Sequence, residues 1–109
     1  MSVPAYLGEF EQLVLLAILQ LGEEARAAVV RARIEEVATR RVTRGSLYAT
    51  IDRLAGKGLL DWVVEDGGPE RGGVPHRRFR VTEAGREAVR HSYSVIQELS
   101  RGLGGVLGS

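Results

Sequence analysis

Only Arg41 and Val42 separate two helical patterns in this chain, and a link of two residues leaves the second helix little choice but to turn sharply across the first. The earlier pattern runs from about Ala25 to Arg40, with Val30, Ile34, Val37 and Ala38 inward and Arg26, Arg31, Arg33, Glu35 and Glu36 mostly outward. The later one opens at Thr43, whose hydroxyl can accept from the free N–H groups of a first helical turn. Leu47, Ile51 and Leu54 then form one apolar stripe, while Gly45, Ala49, Asp52 and Arg53 fall on the far side with Arg44 and Tyr48 flanking. Gly56 and Gly58 end it, with the Lys57 cation in the last turn. Two tightly joined helices, the second with a small-residue outer face edged by cations, fit a helix-turn-helix arrangement. Gly45 and Ala49 let a helix backbone approach another surface closely, as entry into a major groove about 12 Å wide demands.

The charge distribution points the same way. The net charge of 109 residues is +1, yet residues 40–58 carry Arg40, Arg41, Arg44, Arg53 and Lys57 against Asp52 alone, and residues 71–80 carry Arg71, Arg77, Arg78 and Arg80 with no acid. Each segment is therefore +4, and the remainder holds six arginines against thirteen acids. Brought together by folding, the two segments make a focused phosphate-binding patch, to which His76 adds; left apart, they are solvated basic stretches.

Around this centre the chain reads as one domain. Met1 to Leu7 is a short leader holding Pro4, either loose or packed only through Tyr6. From Gly8 to Leu21 the pattern is helical, with Phe10, Leu13, Val14, Ala17, Ile18 and Leu21 on one face and Leu15, Leu16 and Leu19 on the other. A helix apolar all round is buried on both sides, so in a small domain its second face is expected to meet a partner chain. After Gly58, Leu60 to Glu65 alternates as a strand and His76 to Val81 returns as a second, placing Arg77, Phe79 and Val81 on one side and His76, Arg78 and Arg80 on the other. The Gly- and Pro-rich tract from Asp66 to Pro75 joins them as a hairpin loop, long enough for Arg71, His76, Arg77 and Arg78 to reach a minor groove or a phosphate run beside the preceding helix. Thr82-Glu83 caps a last helix with Val81 as its apolar staple. Val89, Ile96, Leu99 and Leu103 follow at heptad-like spacing, with Ser92 and Tyr93 near the seam, and offer a stripe to a partner helix before Gly102, Gly104, Gly105 and Gly108 fray the end. The expected fold is mainly α with a small β-hairpin: a winged helix-turn-helix over 1–81 and a dimerisation helix over 82–109, forming one compact unit.

Several classes are disfavoured. There is no cysteine, hence no disulfide, thiolate metal site or thiol nucleophile, which suits a reducing cytoplasm. The longest apolar run, Leu13 to Leu19, is far shorter than the roughly 20 residues a membrane helix needs. His76 and His91 are the only histidines, and no carboxylate pairs with either at a catalytic or metal-binding spacing. The glycines between 67 and 73 precede no Lys-Ser/Thr and open no helix, so they do not cradle a nucleotide. No enzyme activity, cofactor or metal is expected. The competing class is a winged-helix module that binds protein, and exposed arginines at Arg44, Arg53 and Arg78 argue for DNA instead.

Taken in order, Leu7-Gly8-Glu9-Phe10-Glu11, the run Gly45-Ser46-Leu47-Tyr48-Ala49-Thr50-Ile51-Asp52-Arg53-Leu54, then Lys57-Gly58-Leu59, and finally Arg77-Arg78-Phe79-Arg80-Val81-Thr82-Glu83-Ala84-Gly85 resemble the PadR family of winged-helix transcriptional regulators, in its short subgroup with a single C-terminal dimerisation helix. The resemblance spans Leu7 to about Arg101. It implies a cytoplasmic homodimer joined by the first and last helices, bound to a roughly palindromic duplex operator, and repression relieved by a ligand. It implies that Thr43, Ser46 and Tyr48 meet phosphates, that Arg44, Gly45 and Ala49 lie nearest the bases with Arg53 on the same surface, and that Arg71, His76, Arg77 and Arg78 clamp the backbone. It assigns Leu15, Leu16, Leu19, Val89, Tyr93, Ile96, Leu99 and Leu103 to the dimer interface. Relatives carry Ala-Tyr-Gly where this chain has Ala25-Arg26-Ala27, and Arg26 is read as a solvated side chain or an added phosphate contact. Some short relatives hold flat aromatic molecules between tryptophans of the last helix. That helix offers only Tyr93 here, with Trp62 on the wing strand, so a small aromatic or hydrophobic effector would lack that pocket.

Overall fold

The computed structural model describes residues 7–67 and 72–108. The leader with Tyr6 and the loop residue Arg71 lie outside the described residues. The element order is α1 (Glu9–Leu21), α2 (Ala27–Ala38), α3 (Arg44–Gly56), β1 (Leu60–Glu65), β2 (His76–Val81), α4 (Glu83–Ser100) and α5 (Gly104–Leu107), with a 3-10 turn over Gly22–Glu24. The strands pair antiparallel from Leu60 opposite Val81 to Glu65 opposite His76.

The core lies around α1, which is in contact with α2, α3, β2 and α4. Val14, Leu15, Val30, Val42, Leu47, Ile51, Leu54 and Phe79 are fully buried in it. This enclosure corrects the expectation for Leu15: its side chain is wholly inside its own chain's core, because α1 is covered from more directions than a two-faced reading allows. Leu16, 45% exposed, and Leu19 keep an outward face. Val89 is corrected too, since together with Ala88 it fills this core and leaves the stripe to Tyr93, Ile96, Leu99 and Leu103, all exposed. Val37, expected inward, is 64% exposed.

Local chemistry sets the element ends. Thr43 Oγ1 accepts from the Ser46 N–H at 3.1 Å to cap α3. Thr82 Oγ1 accepts from the Gly85 N–H at 3.1 Å to cap α4, and the same hydroxyl donates to the Gly58 carbonyl at 2.7 Å, tying that cap to the end of α3. Gly85 sits where a Cβ would come within 2.1 Å of the Leu59 carbonyl oxygen, so only glycine lets α4 lie against the α3–β1 junction.

The second helix is shorter than its periodicity predicts. Ala25 is buried in a turn conformation, φ −79° and ψ 69°, and its carbonyl accepts from the Phe79 N–H at 2.8 Å, giving β2 a backbone partner on its second edge. The extended Arg26 then caps a helix that starts at Ala27. At the other end Thr39 adopts a left-handed conformation, φ 47°, which stops α2 before Arg40. The turn that follows is held by Glu35, whose carboxylate accepts from the Val42 N–H at 2.8 Å. The C-terminal glycines, expected to fray, instead include the short helix α5, closed by a left-handed Gly108.

Candidate nucleic-acid interface

The outer face of α3 carries no packing duty. Thr43, Arg44, Gly45, Ser46, Ala49 and Arg53 are exposed, and Tyr48 is half-buried. Gly45 has an ordinary helical backbone, and nothing lies within 4 Å of where its Cβ would be. The fold therefore does not require glycine there. A second surface approaching α3 closely would.

One edge of this face is built jointly by helix and wing. Residues on β2 alternate sides, and the face bearing Phe79 turns toward the core, carrying Arg77 with it. The Arg77 guanidinium lies 5.4 Å from the Tyr48 ring centroid and 4.8 Å from that of Trp62. Arg44 reaches the same tyrosine, at 6.0 Å. Cations stacked on aromatic rings keep their N–H edges available while their long side chains are held in place. Behind them opens a cleft of about 530 Å³ between the start of α2, α3 and the wing, lined by Arg26, Arg44, Tyr48, His76 and Arg77 among others.

The other face of the hairpin is neutralised. Arg78 Nε donates to Glu65 at 2.9 Å and Arg80 Nε to Asp61 at 2.9 Å. The hydrogen bond from Arg78 is the main cause holding the Glu65 carboxyl below its ordinary range, and the same arginine's charge and His76 act in the same direction against a smaller opposing effect of burial. Arg78 and Arg80 border a different cleft, with Glu23 and Arg86. Arg78 is thus not brought together with Arg44, contrary to the grouping expected from sequence. Arg77 is. His76 sits between the two groups, its Nε2 3.1 Å from Arg26 Nε and 3.2 Å from Glu65 Oε1. Arg26 is accordingly a partly buried partner of His76, not a freely solvated side chain.

Part of the first basic segment is also balanced internally, by a residue that sequence reasoning missed. Glu11, buried in α1, accepts from the Gly8 N–H at 2.9 Å and from Lys57 Nζ at 2.9 and 3.2 Å, with Arg53 Nε at 3.7 Å. Burial alone would raise its pKa, but the Gly8 N–H, Lys57 and Arg53 together hold it below its usual value. Arg40 lies 3.7 Å from Glu9 and stacks over Phe10. Within the two basic segments, and among the described residues, Arg41, Arg44 and Arg77 remain as exposed or half-exposed cations with no ion pair. The cationic surface is smaller than the two +4 segments suggest, and it is concentrated on α3 and the near face of the wing.

Trp62 is not available as one side of an aromatic sandwich: it packs edge-on against Phe79, centroids 6.2 Å apart, and carries Arg77. His91 stands exposed on α4, and no group of three metal-ligating side chains occurs among the described residues. No described helix is long and apolar enough to cross a membrane.

Solved structures share this architecture along almost the whole chain. A PadR family transcriptional regulator from Eggerthella lenta is 25% identical, with 91% of this chain and 86% of that chain covered and a TM-score of 0.65. A PadR-like transcriptional regulator from Bacillus cereus is 18% identical over 92% of each chain, with a TM-score of 0.73. A PadR-like transcription factor from Bacteroides fragilis is 22% identical over 89% of this chain and 88% of that one, with a TM-score of 0.69. No family model and no curated protein matches the sequence.

Proposed function

We propose, from the premise that this chain is a PadR-like winged-helix protein, that it is a transcription regulator that binds duplex DNA through α3 and the near face of the wing. The observation that carries this reading is the unoccupied Gly45–Ala49 face of α3 beside Arg44, Tyr48 and Arg77. A backbone that close to a groove floor places Arg44 at base edges, while Arg77 and Arg41 meet phosphates. Thr43 and Ser46 contribute at the helix start, where free N–H groups favour an anion.

Two copies are needed for a long site. The exposed stripe of Tyr93, Ile96, Leu99 and Leu103, with Leu16 and Leu19 of α1, supports a homodimer. A two-fold dimer sets two α3 helices against half-sites about one helical turn apart, which makes the operator palindromic. The protein then acts in the cytoplasm, and repression relieved by a small aromatic or hydrophobic effector follows from the family resemblance. The test is gel retention of duplex DNA from upstream of the gene, with stoichiometry measured by sedimentation. Two chains per retained duplex are expected. Failure to retain any such DNA at low salt, with the protein folded, would leave the protein-binding alternative in its place.

A further inference from the structure

Two apolar surfaces of this chain have no cover among the described residues. One is a groove of about 500 Å³ between α1 and α2, lined by Leu13, Leu16, Leu19, Ile34 and Val37, with Arg33 at its rim. The other is the segment Leu103 to Leu107, where Val106 is 82% exposed and Leu107 also stands in solvent. We propose that in the dimer each copy's α5 docks into the partner's α1–α2 groove. This rests on the homodimer reading and adds to it a specific occupant for a specific groove.

Three features support that assignment. First, the surface is continuous. Leu16 and Leu19 line the α1–α2 groove and also border a second depression with Tyr93 and the edge of the largely buried Val89 on α4. One track, apolar along its floor and edged by Arg86 and Arg90 at its α4 end, therefore runs from α4 across α1 to Val37 of α2. If two α4 helices pair antiparallel, the partner's C-terminal end passes over the first turns of α4, where this track begins, and the bend at Gly102 then lays α5 across it.

Second, the charges agree. Residues 102–108 carry none. The one charged side chain in the groove, Arg33, is already bonded to Gln20 at 2.7 Å and to Glu36 at 2.8 Å. Docking an uncharged apolar turn there leaves no charge buried without a partner.

Third, α4 alone is too small. Its 18 residues make a rod of roughly 27 Å, and a strip about 10 Å wide along it covers only a few hundred Å², whereas stable interfaces remove about 800 Å² from each partner. An exchanged α5 seated twice, once in each groove, supplies a second pair of contacts under the same two-fold axis.

The chain has no cysteine, so engineered thiols report directly. Val37→Cys and Val106→Cys are made as separate proteins, mixed to exchange subunits and oxidised mildly. A disulfide joining the two different proteins is expected at several times the yield of a Val37→Cys and Asp52→Cys mixture, whose second thiol lies on the exposed face of α3. In addition, Val106→Asp should raise the dimer dissociation constant at least tenfold by sedimentation. A wild-type dimer whose Val37–Val106 yield equals the control, and whose dissociation constant ignores Val106→Asp, overturns the docking while leaving the dimer intact. A wild-type monomer at high concentration overturns both.

Discussion

The guanidinium of Arg77 rests 5.4 Å from the centre of the Tyr48 ring, joining the wing to the exposed face of α3. Its sequence neighbour Arg78 points the other way and is bonded to Glu65. The two arginines should therefore behave differently. Arg77→Ala is expected to weaken duplex binding for all sequences by about tenfold and to lower the salt slope by roughly 1 per site lost, as removal of a phosphate contact does. Arg78→Ala should change affinity by less than about threefold, because that side chain serves a partly exposed pair of small net worth. Anisotropy titrations with one duplex across several salt concentrations separate them; equal losses would refute the assignment of the near face.

Gly45 offers a sharper test, because fold and function pull in opposite directions there. Alanine meets open space and a helical backbone, so Gly45→Ala should stabilise the folded chain by up to about 1 kcal/mol. In the proposed complex the added methyl stands on the surface facing DNA, so affinity should fall even as the melting temperature rises. A variant that is more stable and binds as well as the wild type would show that α3 does not approach its target through this face.

Gly85 should respond in the opposite way. A methyl 2.1 Å from the Leu59 carbonyl oxygen and 2.6 Å from Val81 Cγ1 cannot be accommodated without displacing α4. Gly85→Ala should cost about 1–3 kcal/mol or more, read as a drop in melting temperature at fixed protein concentration. Gly56→Ala, where nothing lies within 4 Å, is the control that should lose nothing.

Glu11 makes acid stability measurable. Its folded-state pKa lies below the usual 4.5, so the group adds stability that is fully present above that value and is lost as pH falls through the lower folded value. Glu11→Gln should cost about 1–2 kcal/mol at neutral pH, given that Lys57 is partly exposed. The gap between wild type and variant should stay constant from pH 7 to about 5 and close below 4.5. Urea midpoints measured for both across that range check it; parallel curves through the acid region would contradict the ion-pair account.

These variants also mark what the sequence could and could not convey. Both strands were legible to the residue, because alternation in Leu60–Glu65 and His76–Val81 is bounded by a Gly- and Pro-rich tract that no regular element tolerates. The start of α3 was equally clear from Thr43, a cap whose chemistry is local. The start of α2 was not, since Ala25 is kept out of the helix by a hydrogen bond from the Phe79 N–H, a partner far along the chain. Leu15 was misplaced for a related reason: periodicity sorts a helix into faces but does not count the neighbours that cover each face. For the site, alternation put Arg77 and Arg78 on opposite sides of the hairpin without saying which side adjoins α3. The Glu11–Lys57 bond spans 46 positions, and no local pattern announces it.

The central claim is that a duplex is held by a small repeated set of cations on α3 and the wing, and the dependence of affinity on salt tests it most directly. A dimer presenting Arg41, Arg44 and Arg77 twice, with Arg44 partly engaged at bases, should give a plot of log affinity against log salt with a slope of about −4 to −5. A slope near zero, or no binding to duplex DNA at low salt by protein that is demonstrably folded, would contradict it.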